Sequence, residues 1–197
     1  MTTIIAGKDA DGKIHILGDN CGSTKSRRYE IKSKILDLGN AKVGIAGPLS
    51  VLLAVNEIAK RYELKFGSVS ETFKAVNTIY SVLQSEYEFD VGEDGVFNYT
   101  MLITTATSIY EVLNGRDVVE CPLYGAIGSG AMYACGALEA LSNPDEKVSD
   151  DLLHYVMHIV SSLDPHTDFI CDDHSYDDEE DESNNQSAVR HQECCQF

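Results

Sequence analysis

The sequence predicts an α+β domain in which antiparallel sheets are covered by pairs of helices. Three observations predict it. The chain opens on short β-rich runs joined by Asp-Gly and Gly-Asn steps, the periodicity then turns helical over two long segments, and the same order of strands and then two helices comes a second time. With 197 residues, 43% of them hydrophobic and 24% charged, the chain has the material for one domain with a sizeable core.

Thr3 to Lys8 and Lys13 to Gly18 flank Asp9-Ala10-Asp11-Gly12, a strong hairpin signal. Lys34 to Leu38 and Lys42 to Ala46 form a second hairpin around Gly39-Asn40. After Pro48, Leu52, Val55, Ile58, Ala59 and Tyr62 mark one helical face, and Phe73, Val76, Tyr80 and Leu83 mark another between Ser70 and Tyr87. Gly92-Glu93-Asp94-Gly95 leads into strands at Tyr99 to Thr105, Ser108 to Leu113 and Val118 to Ala126. Gly128-Ser129-Gly130 opens a third helix that runs to about Leu141, and Asn143-Pro144-Asp145 closes it. A fourth helix from Asp150 to Leu163 carries apolar Leu152, Leu153, Tyr155, Val156, Ile159 and Val160, and Asp168 to Cys171 is the last expected strand.

Fifteen Lys and Arg stand against 32 Asp and Glu, a net charge of −17. Residues 172–197 hold nine acids and one base, so this tail carries −8 and residues 1–171 carry −9. Such a balance disfavours phosphate backbones and anionic lipid, so neither nucleic acid nor a membrane surface is an expected partner. The division expected is a domain over 1–171 and an acidic, disordered tail over 172–197, because the tail has too little apolar surface to offset its ordering entropy. The first residues do not read as a secretory signal and the apolar stretch from Gly44 to Val55 is too short to span a bilayer, so a cytoplasmic location is expected. Six cysteines then read as reduced thiols, and Cys171, His174, His191, Cys194 and Cys195 match no metal cage by spacing.

Once Met1 is removed, as the small Thr2 side chain permits, the chain begins with an amine and a hydroxyl on one residue. A hydroxyl becomes a nucleophile when a neighbouring base takes its proton, and an α-amine with a reference pKa near 8 is suited to that work. Four further features follow at fixed places: Asp19 after Gly18, Lys34 opening a strand, Gly44-Ile45-Ala46-Gly47 before a helix, and Gly128-Ser129-Gly130 before another. Singly, each has another reading. Asp19 can be a turn residue, Lys34 one surface cation among Lys25, Arg27, Arg28 and Lys32, Gly47 a helix-leading glycine, and the Gly-Ser-Gly turn an anion site.

Taken together, from Thr2 to about Asp168, these motifs resemble the proteasome β-type, HslV-like family of threonine peptidases within the N-terminal nucleophile hydrolases. The resemblance implies a four-layer αββα sandwich of two antiparallel sheets flanked by helix pairs. It implies Thr2 as nucleophile, Lys34 as the cation beside it, and Asp19 as the carboxylate that fixes Lys34. Gly47 then supplies an oxyanion-hole N–H, Ser129 a hydroxyl beside the Thr2 amine, and Ile45 the base of an apolar substrate pocket. No cofactor is implied; Ser161, Asp164 and Thr167 fall where the family holds a structural monovalent or divalent cation on backbone carbonyls.

The implied function is endopeptidase cleavage of polypeptides inside stacked hexameric or heptameric rings of one subunit, fed by an unfoldase ATPase. The alternative is an inactive ring subunit or scaffold with the acidic tail as its interaction element. Pro48, Pro165 and the acidic tail depart from the family pattern.

Overall fold

The computed structural model describes residues 2–23, 28–89, 97–113, 116–142, 148–168 and 171–175. Two sheets lie face to face. β1 (Thr3–Lys8), β2 (Ile14–Asp19), β10 (Tyr124–Gly128) and β11 (Cys171–Ser175) form an antiparallel sheet in the order β10-β1-β2-β11. β5 (Ile35–Asp37), β6 (Lys42–Ala46), β7 (Thr100–Thr104), β8 (Ile109–Val112) and β9 (Val118–Cys121) form a second, in chain order and antiparallel throughout. A small ribbon, β3 (Cys21–Ser23) with β4 (Arg28–Glu30), completes the strands described.

The period-2 alternation of side chains divides the core into layers. Ile4, Ala6, Ile14 and Ile16 face Ile35, Leu102 and Ile109 between the sheets. Ile5 and Leu17, one residue out of phase, meet Leu138, Leu153, Val156 and Val160 of α3 (Ala131–Leu141) and α4 (Asp150–Leu163). Val43 and Ile45 meet Val55, Ile58, Val76 and Tyr80 of α1 (Leu49–Arg61) and α2 (Val69–Glu86) on the other side. The αββα sandwich is therefore the observed architecture, and each fully buried Ile or Leu adds about 1.5–3 kcal/mol.

Local signals set the element ends. Gly12 and Gly39 take positive φ in the two hairpin turns. Ser68 accepts from the Glu71 N–H at the start of α2, and Ser149 caps α4 ahead of Asp150 and Asp151, whose charges suit a helix N-terminus.

Four expectations are corrected. The apolar run from Val118 to Ala126 is two strands in different sheets, because Pro122 has no N–H to continue the ladder and the chain crosses there from one sheet to the other. The β3–β4 ribbon carries no alternation, β4 being exposed throughout, and so left no pattern to read. The last strand is Cys171–Ser175 rather than 168–171; its polar residues hide it from a hydrophobicity reading, yet its backbone pairs with β2 through Ser175 opposite His15. Phe73 and Tyr155, placed on apolar helix faces by periodicity, are half-exposed. The tail beyond Ser175 lies outside the described residues, and among those described no helix is long and apolar enough to cross a membrane.

Candidate active site

The site forms where β1 begins, at the end of the sandwich shared by the ends of β2, β6 and β10. Thr2 is 7% exposed. The peptide unit after it is held on several sides. The Thr3 N–H donates to Asp19 Oδ1 at 2.7 Å, the Ser129 N–H donates to the Thr2 carbonyl at 2.8 Å, and the Gly130 N–H donates to Thr3 Oγ1 at 3.1 Å. A residue at a free chain start would fray, and these bonds fix it.

Asp19 closes β2 fully buried, and its charge is met by three donors. Besides Thr3 it accepts from Lys34 Nζ at 2.9 Å through Oδ1 and from the Cys21 N–H at 3.1 Å through Oδ2. Lys34, 3% exposed, donates a second bond to the Cys21 carbonyl at 2.6 Å. A buried carboxylate and a buried ammonium are tolerated because each has its partner and further hydrogen bonds. Lys32, the other candidate cation, is exposed.

Two glycines are required by geometry here. A Cβ on Gly47 would come within 2.5 Å of Tyr99 Cβ and 3.3 Å of the Asn98 carbonyl, so the backbone of β6 passes close to that of the chain entering β7. Gly128 has φ +95, in the left-handed region, and a Cβ there would overlap the Thr2 carbonyl oxygen. The Gly-Ser-Gly turn is thus shaped to bring Ser129 against the Thr2 backbone.

Behind Ser129 lies a chain of polar groups. Ser129 Oγ donates to Asp164 Oδ2 at 2.6 Å, Thr167 Oγ1 donates to the same oxygen at 2.8 Å, and Thr167 Oγ1 is 2.5 Å from Thr3 Oγ1. The His166 N–H donates to Asp164 Oδ1 at 3.0 Å, closing an Asx-type turn after α4. Burial pushes the Asp164 carboxyl up, but hydrogen bonds from Ser129, the His166 N–H and Thr167 outweigh it and hold the group below the ordinary aspartate value.

Asp164 and Thr167, whose backbone carbonyls the resemblance assigns to a cation, have their side chains in the network around Thr2 and Thr3. Ser161, the third of that group, turns its hydroxyl to the His158 carbonyl, and the Asp164 carbonyl accepts from the Thr167 N–H. Among the described residues no cluster of three or more His, Cys, Asp or Glu side chains is placed to hold a metal. Thr3 was missed altogether. The Asp-x-x-Thr step just past a helix was the available signal, since an Asp there bonds the backbone two residues on.

Two cavities border Thr2. One, of about 100 Å³, is walled by Lys34, Gly47 and the apolar side chains of Ile31, Ile45, Leu49 and Leu52, with Tyr29 at its edge. The other, of about 400 Å³, is bounded by Ala46, Gly47, Asn98, Thr100, Gly128 and Ser129. Asp19, Lys34, Gly47 and Ser129 are therefore brought together around Thr2, and Ile45 lines the smaller cavity. A threonine with a buried ammonium on one side, a hydroxyl–carboxylate pair on the other and an open backbone at Gly47 has the parts for acyl transfer.

No family model and no curated protein matches this chain. Solved structures do. Thiobacillus denitrificans BPH in complex with Epoxomicin superposes with a TM-score of 0.80 at 20% identity, covering 88% of this chain and 97% of that one. Eukaryotic HslV from Trypanosoma brucei gives 0.65 at 15% identity, covering 88% and 98%. Anbu, the ancestral beta-subunit from Yersinia bercovieri, gives 0.69 at 12% identity, covering 88% and 81%. The αββα fold is the one these BPH, HslV and Anbu structures have.

Proposed function

We propose that the protein is a threonine endopeptidase whose nucleophile is Thr2, freed at its amine by removal of Met1. The observation that carries this reading is the bridge made by Asp19, which holds Lys34 Nζ and the Thr3 N–H on one oxygen beside the cavity that Thr2 and Gly47 line. In this reading the Thr2 amine, directly or through a water, takes the hydroxyl proton as Oγ attacks the scissile carbonyl. Lys34 disfavours protonation of that amine and stabilises the developing alkoxide. The Gly47 N–H receives the oxyanion. The C–N bond then breaks, the leaving amine departs with the proton, and water hydrolyses the Thr2 ester by the same route in reverse order.

The fold shared with a BPH bound to Epoxomicin supports the same chemistry, since that ligand sits on a protein of this architecture. Ile31, Ile45, Leu49 and Leu52 favour an apolar residue before the scissile bond. Cleavage after Asp or Arg, with none after Leu or Tyr, would contradict that preference. The reading also takes the subunit to assemble into stacked rings of one chain, served by an unfoldase ATPase, and half-exposed Leu53, Tyr155 and Leu163 provide apolar surface for such contacts. It needs no cofactor. A structural cation on the carbonyls of Ser161, Asp164 and Thr167 is its subsidiary expectation, read as a rise in Tm when Mg²⁺ or K⁺ is returned to chelated protein.

The deciding experiment is the intact mass of the purified protein before and after a peptidyl epoxyketone, which closes a stable ring on a hydroxyl and amine of one terminal residue. A chain lacking Met1 that gains one inhibitor mass supports the reading. A Met1-free chain with no adduct, or retained Met1, overturns it and leaves the ring-scaffold reading.

A further inference from the structure

The two cavities at Thr2 differ in size and in lining, although Thr2 and Gly47 border both. The smaller has Ile31, Ile45, Leu49 and Leu52 beside Lys34 in its wall; the larger, about 400 Å³ against about 100 Å³, is walled by Asn98, Thr100 and Ser129 together with Ala46, Tyr99 and Gly128. A carbonyl held over the Thr2 hydroxyl with its oxygen toward the Gly47 N–H has its acyl part in one cavity and its leaving amine in the other. When the C–N bond breaks, the amine nitrogen has to gain the proton that left Thr2 Oγ. Ser129, whose hydroxyl is bonded to the Asp164 carboxylate and is available to assist that transfer, borders the larger cavity.

We infer that the larger cavity receives the part of the polypeptide after the scissile bond, and that Asn98 determines how well that part is held by pairing with its first peptide group. This rests on the peptidase reading above. Asn98 stands just before Tyr99, its own carbonyl 3.3 Å from the place a Gly47 Cβ would occupy, so it adjoins the N–H that receives the oxyanion. Its side chain is exposed at the edge of this cavity. A carboxamide offers one acceptor and two donors, the complement of a peptide C=O and N–H. Among the described residues no charged side chain lines this cavity, which suits recognition of main chain.

The test compares two substrates with the same acyl peptide, one ending in aminomethylcoumarin at the scissile bond and one extended by several residues past it with a quenched fluorophore pair. In the wild-type protein, kcat/KM rises as one and then two residues are added after the bond. In Asn98→Leu, which keeps the size but removes donor and acceptor, the ratio of kcat/KM for the extended peptide over the coumarin amide falls about 3- to 10-fold, the worth of one hydrogen bond. Asn98→Gln restores part of it. A ratio that does not change, with kcat/KM indifferent to added residues, overturns the assignment while leaving the peptidase reading intact. Cleavage of neither substrate by the wild-type protein overturns both.

Discussion

Lys34 Nζ and Asp19 Oδ1 meet at 2.9 Å with neither side chain more than 4% exposed, so the sandwich buries a full ion pair at the edge of the cavity that holds Thr2. Such a pair is costly to desolvate, and replacing it by apolar residues of like size is often neutral or stabilising. Asp19 grips the Thr3 N–H, and Lys34 sets a positive charge on the cavity that Thr2 borders.

Lys34→Ala is expected to abolish hydrolysis and to destabilise the fold by about 3–5 kcal/mol, because Asp19 is left buried with its charge uncompensated. Lys32→Ala, at an exposed position, is the control and should stay within about 0.5 kcal/mol of wild type. Denaturant unfolding of both variants checks the stability half, and single-turnover peptide cleavage the other. Equal stabilities for the two would mean that the pair is not formed.

Gly47→Ala tests the oxyanion assignment. The added methyl falls 2.5 Å from Tyr99 Cβ, so either β6 or the chain entering β7 has to shift. A shift of a few tenths of an ångström misaims one hydrogen-bond donor, and the loss of such a donor costs about 10²–10³ in kcat. KM should change far less. A variant with kcat within about threefold of wild type would remove the Gly47 N–H from the mechanism.

The pH dependence of stability has a defined sign at Asp164. Its folded pKa lies below the unfolded value, so the carboxylate contributes stability that is complete above the unfolded pKa and is lost as pH falls through the folded one. Asp9 and Asp37 are lowered too and add to the same acid limb. Asp164→Asn should therefore flatten, without removing, the fall in unfolding free energy between about pH 5 and pH 2. It should also weaken cleavage, since Ser129 loses its charged acceptor. Parallel acid limbs for variant and wild type would show that Asp164 is not held as an anion.

How much of this was legible in the sequence depends on which force placed each group. Thr3 to Lys8 and Ile14 to Asp19 were readable because both faces of these strands are buried and a turn sequence joins them. Thr2, Asp19, Lys34, Gly47 and Ser129 were singled out only through the order and spacing of motifs that resemble a known family, since each alone has another reading. The partnership of Asp164 and Thr167 with Ser129 and Thr3 was not, because it joins residues 35 and 164 positions apart through hydrogen bonds that leave no periodicity. β11 was displaced for a related reason: backbone pairing with β2 orders Cys-Asp-Asp-His-Ser without any apolar pattern to announce it.

Gly128 and Gly39 allow conformational strain to be separated from contact. Both have positive φ, +95 and +80, so alanine at either is strained, at a cost of about 1–2 kcal/mol. Around Gly39 there is nothing within 4 Å of an added Cβ, whereas at Gly128 the methyl overlaps the Thr2 carbonyl oxygen. Gly39→Ala should therefore lower Tm by several degrees while the folded protein keeps its kcat/KM. Gly128→Ala should lower Tm further and abolish cleavage, because relief of the overlap breaks the Ser129 N–H to Thr2 carbonyl bond and moves Thr2. Epoxyketone labelling checks the second outcome directly: a Gly128→Ala protein labelled as fast as wild type would show that this turn does not position Thr2.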